Sequence, residues 1–241
     1  MEQIIKKVLF ISLSVWALGL YFRDAKPDPD ELLPQLEIHP IQKETKKQPF
    51  EVTVKDITYH IKPLYEYELY GLVVSKHASA SLLDTDHERW GDYLNTADLC
   101  VIWSTNAFSG IYKRLKFSSG NWTCYIKSSS GEDWVHFSGE QLSNNHMLSE
   151  RRDINRIIRK IRIGDQIHFT GYLVEYSHDN FSRGTSTVRT DNGCEVVYVE
   201  SISILQSGPV IWLVLRRLAL AGIVLCVVAW FVMPDRYHVV R

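Results

Sequence analysis

The chain has 241 residues, of which 45% are hydrophobic and 23% charged, and its net charge is −1. That balance excludes a nucleic-acid binder held by bulk positive charge. The apolar residues gather in two runs near the chain ends, and the stretch between them reads as soluble protein.

The first run, Val8 to Phe22 (VLFISLSVWALGLYF), carries no charge, follows Lys6 and Lys7, and is closed by Arg23. With Ile4 and Ile5 it comes close to the ~20 residues that span a bilayer. A cleaved secretory signal shares the basic start and apolar centre, but the small-x-small cleavage site is missing where the chain reads YFRDAKPDP. Residues 1–23 are therefore expected to be an uncleaved signal anchor. Residues 24–49 hold five of the eight prolines among acids and lysines. This composition predicts an extended charged tether that holds the next domain away from the bilayer.

Residues 50–206 are long enough for one core, and their apolar pattern mostly has period two. EVTVKDITYHI alternates around Val52, Val54 and Ile57; ELYGLVVS and LCVIWS suit buried strands; NWTCYIKS puts Trp122, Cys124 and Ile126 on one face. Tryptophans and tyrosines crowd the stretch from Trp90 to Trp134, most of them expected in the core and some along a groove. SERRDINRIIRKIRIGD breaks the pattern. Ser149 is its expected N-cap, Ile154, Ile157, Ile158 and Ile161 form one stripe, and Gly164 stops it, which predicts an amphipathic helix leading into a strand. In IGDQIHFTGYLVEYS, Gly171 marks a bend, and CEVVYVESISIL follows a tight turn at Asn192-Gly193. The expected fold is a membrane-anchored α+β chain in which two single transmembrane helices flank a β-rich domain. Its candidate form is a small OB/SH3-like barrel with one amphipathic helix, and another mixed α+β arrangement is the alternative.

The second apolar run, within residues 209–233, is clean only from Leu218 to Met233 because Arg216 and Arg217 stand side by side near its start. Trp212 and Trp230 lie about 27 Å apart along a helix and suit the two membrane interfaces. The arginines then lie shallow enough for their stems to return the charge to the headgroups. Residues 234–241 form a short tail. Lysines and arginines near the spans are tied: Lys6, Lys7, Arg236 and Arg241 on the terminal side, Arg23, Lys26, Arg216 and Arg217 on the domain side. The signal-anchor character of the first span favours cytoplasmic termini and an external domain in the cell inner membrane.

Chemistry-bearing residues are sparse. Asp84, Asp86, His87 and Glu88 form an acidic loop whose spacing fits neither an EF-hand nor a zinc site, so a solvated loop is expected. Asn144, Asn145 and His146 read as a turn, with a catalytic His146 as the sharper alternative. Arg183, Thr185, Ser186 and Arg189 form a candidate anion loop in a hairpin. G-x-S-x-G, a P-loop, H-E-x-x-H and C-x-x-C do not occur, so neither an enzyme nor a cofactor is expected. Of the domain cysteines, Cys124 and Cys194 are the expected disulfide if the domain lies outside, leaving Cys100.

The expected function is a binding or sensing module coupled to the membrane helices, with membrane lipid and a protein partner or self-association through those helices as its contacts. Nucleic acid is not expected. Gly222 and Cys226, small residues four apart, let helices approach closely. Two hydrophobic segments around a domain without catalytic motifs form a layout similar to the two-transmembrane effectors of bacterial anti-phage systems, including retron-linked ones. That resemblance implies the alternative function, antiviral defence through loss of membrane integrity when triggered.

Overall fold

The computed structural model describes residues 2–79, 88–120, 122–179, 181–188 and 194–232. Two compact units are present, one from the chain ends up to Ala25 and from Pro209, the other from Lys26 to Gly208. Helix α1 (Glu2–Tyr21) opens the first unit.

The second unit is a mixed β-sheet. Its strands are β1 (Ile41–Glu44), β2 (Phe50–Val54), β3 (Ile57–His77), β4 (Asn95–Ile102), β5 (Lys116–Gly120), β6 (Thr123–Lys127), β7 (Leu142–Leu148), β8 (Gln166–His178), β9 (Phe181–Arg183) and β10 (Glu195–Gln206). The 21 residues of β3 reach several neighbours: its middle pairs with β8, its far end with β4, and β1 and β2 lie along it. β4 pairs antiparallel with β7, β7 runs parallel to β10, and β10 pairs antiparallel with β8. Hydrogen bonding therefore runs from β3 through β4, β7, β10 and β8 back to β3. β5 and β6 form a separate hairpin.

Alternation decides what each strand buries. Leu99, Val101, Met147, Phe169 and Val197 share one core with Ile154 and Ile158 of helix α2 (Arg152–Lys160) and with Ile161 at its C-cap. The isoleucine stripe predicted from sequence is thus buried, with Ile157 partly so. Ser149 does not cap the helix; Arg151 is the N-cap, and the Ser149 hydroxyl accepts the Arg151 N–H at 3.1 Å. Gly171 is needed because β8 and β10 approach so closely that an added Cβ would lie 2.1 Å from the Tyr198 carbonyl oxygen.

The expected tether is instead folded onto the sheet domain. Leu32 and Leu36 are buried in a second core with Leu72, Val74, Cys100 and Tyr112. Gln166 holds this segment through its side chain, accepting from Leu33 N–H at 2.7 Å and donating to the Glu31 carbonyl at 3.0 Å. Prolines 29 and 34 each start a 3-10 turn, where their fixed φ suits the first helical position. What extends in this region is β1, paired with β3.

The chain closes with helix α3 (Ile211–Val232). Helices α1 and α3, of 20 and 22 residues, are long and apolar enough to cross a membrane. They pack on each other through small residues: Ser12 and Gly19 of α1 and Ala219 and Cys226 of α3 are buried. A Cβ on Gly222 would meet the Ser12 Oγ at 2.7 Å, and one on Gly19 would meet the Arg216 Cβ at 2.8 Å. Such closeness brings the two backbones within reach of dispersion contacts.

Candidate functional site

Strand register builds the site. Asp98 on β4 is the cross-strand partner of His146 on β7, and Cys100 is the partner of Asn144. Their odd-numbered neighbours Leu99, Val101 and Met147 enter the first core, so these four side chains share the opposite face of the sheet. Asn144 and His146 therefore lie in a strand, not in the expected turn. Cys194, immediately before β10, joins them because β10 runs beside β7.

His146 and Asp98 are both fully buried. The imidazole Nδ1 lies 2.6 Å from Asp98 Oδ1 and Nε2 lies 2.8 Å from Nη2 of Arg183. A guanidinium can only donate, so this geometry requires a lone pair on Nε2 and a proton on Nδ1 that is donated to Asp98. The Asp98 carboxylate also accepts from Asn95 Nδ2 at 2.8 Å and from the Trp122 N–H at 3.1 Å. Trp122 has φ +59°, uncommon for a bulky residue, and its backbone is pinned on both sides: the N–H bonds Asp98, and the carbonyl accepts from the Cys194 thiol at 3.4 Å. Arg183 lies over the Trp122 ring, 5.3 Å from its centroid.

Cys194 is half-buried and its thiol is free. Asn144 Nδ2 donates to its sulfur at 3.5 Å, while Asn144 Oδ1 is buried without a hydrogen-bond partner among the described residues. Burial pushes the thiol pKa up, but hydrogen bonding and charge from His146, with Asn144 and Arg183, leave it below the ordinary thiol value. For His146, burial works against the imidazolium; the charge and hydrogen bond of Asp98, aided by the Cys194 thiol, nevertheless raise its pKa, with Arg183 opposing. The arrangement is a thiol, a base and a carboxylate that orients the base, the pattern that activates a cysteine nucleophile.

The expected Cys124–Cys194 disulfide is corrected: Cys124 is bonded to Cys100, linking the β5–β6 hairpin to β4. Among the described residues the candidate anion loop is not assembled as such. Thr185 Oγ1 accepts the Val196 N–H at 3.0 Å and donates to the Ser186 carbonyl, and Ser186 Oγ donates to the Val188 carbonyl at 2.8 Å, so both hydroxyls serve the backbone. Of that loop's described residues, Arg183 alone reaches the site; Arg189 lies outside the described residues, as do Asp84, Asp86, His87 and the Asn192-Gly193 turn. Arg183 also lines a cleft of about 550 Å³ with Phe50, Lys62 and Tyr176.

In the helical unit, Trp212 stacks on Phe22 with centroids 4.5 Å apart, and Lys6 Nζ lies 5.7 Å from the Trp230 ring centroid. The two tryptophans thus mark opposite ends of the helix pair. Arg216 and Arg217 part company: Arg216 is half-buried against Gly19, and Arg217 is exposed. Gly222 and Cys226 face α1 of the same chain. No family model and no curated protein sequence matches the chain.

Proposed function

We propose that the chain is a two-span membrane protein whose β-rich domain is a binding or sensing module coupled to its membrane helices. The observation that carries this reading is the course of β10. Cys194 stands immediately before it, and only residues 207–210 separate Gln206 at its far end from α3. Within that link Gly208 is buried and donates its N–H to Asp165 Oδ1 at 2.9 Å, so close to Gly164 that an added Cβ would lie 2.7 Å from the Gly164 carbonyl carbon. A displacement of β10 has almost no slack in which to dissipate.

On this reading the five-strand circuit is a small barrel of the OB or SH3-like kind with the site on its outer face. α1 and α3 cross the cell inner membrane with the termini cytoplasmic and the domain outside. The Cys100–Cys124 disulfide supports that side, because disulfides persist in oxidising compartments. Membrane lipid and a protein partner are the contacts proposed. The membrane-disrupting alternative would draw on Gly222 and Cys226 for assembly between copies, a face that α1 covers, so α1 would have to separate first.

Nitroxide labels at Lys7→Cys and Val227→Cys, with Cys194 and Cys226 replaced by serine, report the α1–α3 distance in nanodiscs. Asp165→Ala, which removes the Gly208 latch, is expected to shift or broaden that distance distribution while the domain still unfolds cooperatively. An unchanged distribution overturns the coupling. Loss of growth and membrane potential with the full chain, but not with residues 1–208, would favour the alternative.

A further inference from the structure

The domain holds three cysteines, and one is left over when Cys100 and Cys124 pair. An odd thiol beside a disulfide is either an intermolecular pairing site or a reactive group. Cys194 is not packed away as an inert apolar filler. Its sulfur is held between the Trp122 carbonyl and the Asn144 amide, and the pairing of β10 with β7 sets it beside His146, whose imidazole is fixed by a buried carboxylate. Two further features point outward from this cluster. The buried Asn144 Oδ1 is an acceptor beside the sulfur that no described group fills. Arg183 pairs with no carboxylate among the described residues, and it lines both this site and the neighbouring cleft.

We propose that Cys194 is a reactive thiol that exchanges with small disulfides bearing carboxylates, so that the domain carries a reversible mixed disulfide at the start of β10. This inference deepens the sensing reading and rests on it for its consequence, though not for its chemistry. The thiol proton passes to His146 Nε2. The thiolate attacks one sulfur of the small disulfide; a bond from Cys194 to that sulfur forms as the original sulfur–sulfur bond breaks. The departing thiolate takes a proton from the imidazolium and leaves as a thiol. Cys194 is oxidised, half of the incoming disulfide is reduced, and no other reactant is consumed.

His146 and Arg183 have complementary parts in this step. When Nε2 takes up the proton it stops accepting from Arg183, and the freed guanidinium donor is available to an incoming carboxylate. Asp98, buried behind the ring, stabilises the imidazolium that forms. Asp98 is a positioning residue, because it acts on the sulfur only through His146. The groups facing the sulfur are His146 and the uncharged Asn144 amide from β7, Arg183 from β9 and, from the β5–β6 turn, the uncharged carbonyl of Trp122.

The test uses the full chain in nanodiscs with oxidised glutathione as the anionic disulfide and cystamine as the cationic one, followed by intact mass and peptide mapping. One adduct is expected, on Cys194, removable by dithiothreitol and absent in Cys194→Ser. Asp98→Asn is expected to slow its formation at neutral pH about tenfold or more and to move the rate profile to higher pH, because the thiol loses the imidazolium that favours its thiolate. Arg183→Gln, which leaves the Asp98–His146 pair intact, is expected to slow oxidised glutathione several-fold and cystamine much less. Equal slowing of both disulfides by Arg183→Gln, or a pH profile unchanged by Asp98→Asn, would overturn the proposal. So would a Cys194 that hydroperoxide oxidises but oxidised glutathione leaves alone. An adduct that forms as expected without changing the α1–α3 distance, read here between thiol-independent labels on unnatural amino acids at positions 7 and 227 so that Cys194 is kept, would instead sink the coupling while leaving the exchange chemistry standing.

Discussion

Where α1 meets α3 the buried side chains are Ser12, Gly19, Ala219 and Cys226, none larger than a thiol, whereas the sheet packs over Leu99, Trp103, Phe169 and Val197. On the membrane reading proposed above, the first contact relies on close backbone approach, since lipid solvates apolar side chains as well as another helix does. The second relies on removing large apolar surface from water. A change of the same size should therefore act differently in the two units: volume added between the helices separates them, while in the domain, loss of polar partners or loss of fit unfolds it.

The largest expected effect tests the domain side. Asp98→Ala leaves His146, Asn95 Nδ2 and the Trp122 N–H without the carboxylate that binds all three. Breaking a buried pair in this way costs about 3–5 kcal/mol, to be read from chemical unfolding of the full chain. The pH dependence has a definite sign. Because the folded pKa of His146 is raised above its ordinary 6.5, the ion-pair share of the stabilisation is complete below that value and is lost as pH rises through the raised one. The gap between wild type and Asp98→Ala should narrow as the solution is made alkaline; a gap that widens would contradict the assignment. Next in size, Gly171→Val drives side-chain atoms into the Tyr198 carbonyl, and the overpacking should cost about 1–3 kcal/mol or more, by the same unfolding measurement.

The contrast between the units also explains what could be read from the sequence. The isoleucines of α2 repeat at helical spacing and are buried as expected, because one stripe on one element carries its own signal. Both terminal helices were legible from length and composition. The site was not. A strand buried on both faces has no polar side to alternate with, so Asn144, Asn145 and His146 resembled a turn, when in fact Asn144 and His146 are the cross-strand partners of Cys100 and Asp98. Polar residues at positions 98, 144 and 146, two apart or in register across strands, become meaningful only once β4 and β7 are known to be neighbours. The disulfide was misread for the same reason: the β5–β6 hairpin brings Cys124 to β4 rather than to β10, a tertiary choice that spacing does not encode. The supposed tether misled differently. Its prolines outweighed Leu32, Leu33 and Leu36, whose apolar side chains were the available sign that the segment packs.

A smaller effect tests the helical side. Gly222→Leu places a branched side chain where even a Cβ meets Ser12 Oγ at 2.7 Å. The α1–α3 distance reported by the labels should increase, while the chemical unfolding midpoint of the domain stays put. A matching loss of domain stability would mean that the fold of the domain itself depends on the helix contact.

The smallest effect concerns the arginine pair, and there the two residues must be separated. Arg216 is half-buried with its Cβ against Gly19, so its stem is part of the helix contact, whereas Arg217 is exposed. Arg217 lies five residues from Trp212, about 7.5 Å along the axis, close enough for a guanidinium to reach the interface by extending its stem. Arg217→Leu removes that anchor without touching the contact with α1. The helix should stay inserted and paired, and its Trp212 end should sink by a fraction of a turn, measured by the accessibility of a spin label at Leu213→Cys to lipid-soluble and aqueous relaxers. Replacing both arginines should produce the same shift and also loosen the pair at Gly19, because leucine does not reproduce the arginine stem there. If the segment partitions into membranes only when both arginines are replaced, the charges dominate the native helix and residues 211–232 do not span a bilayer unaided.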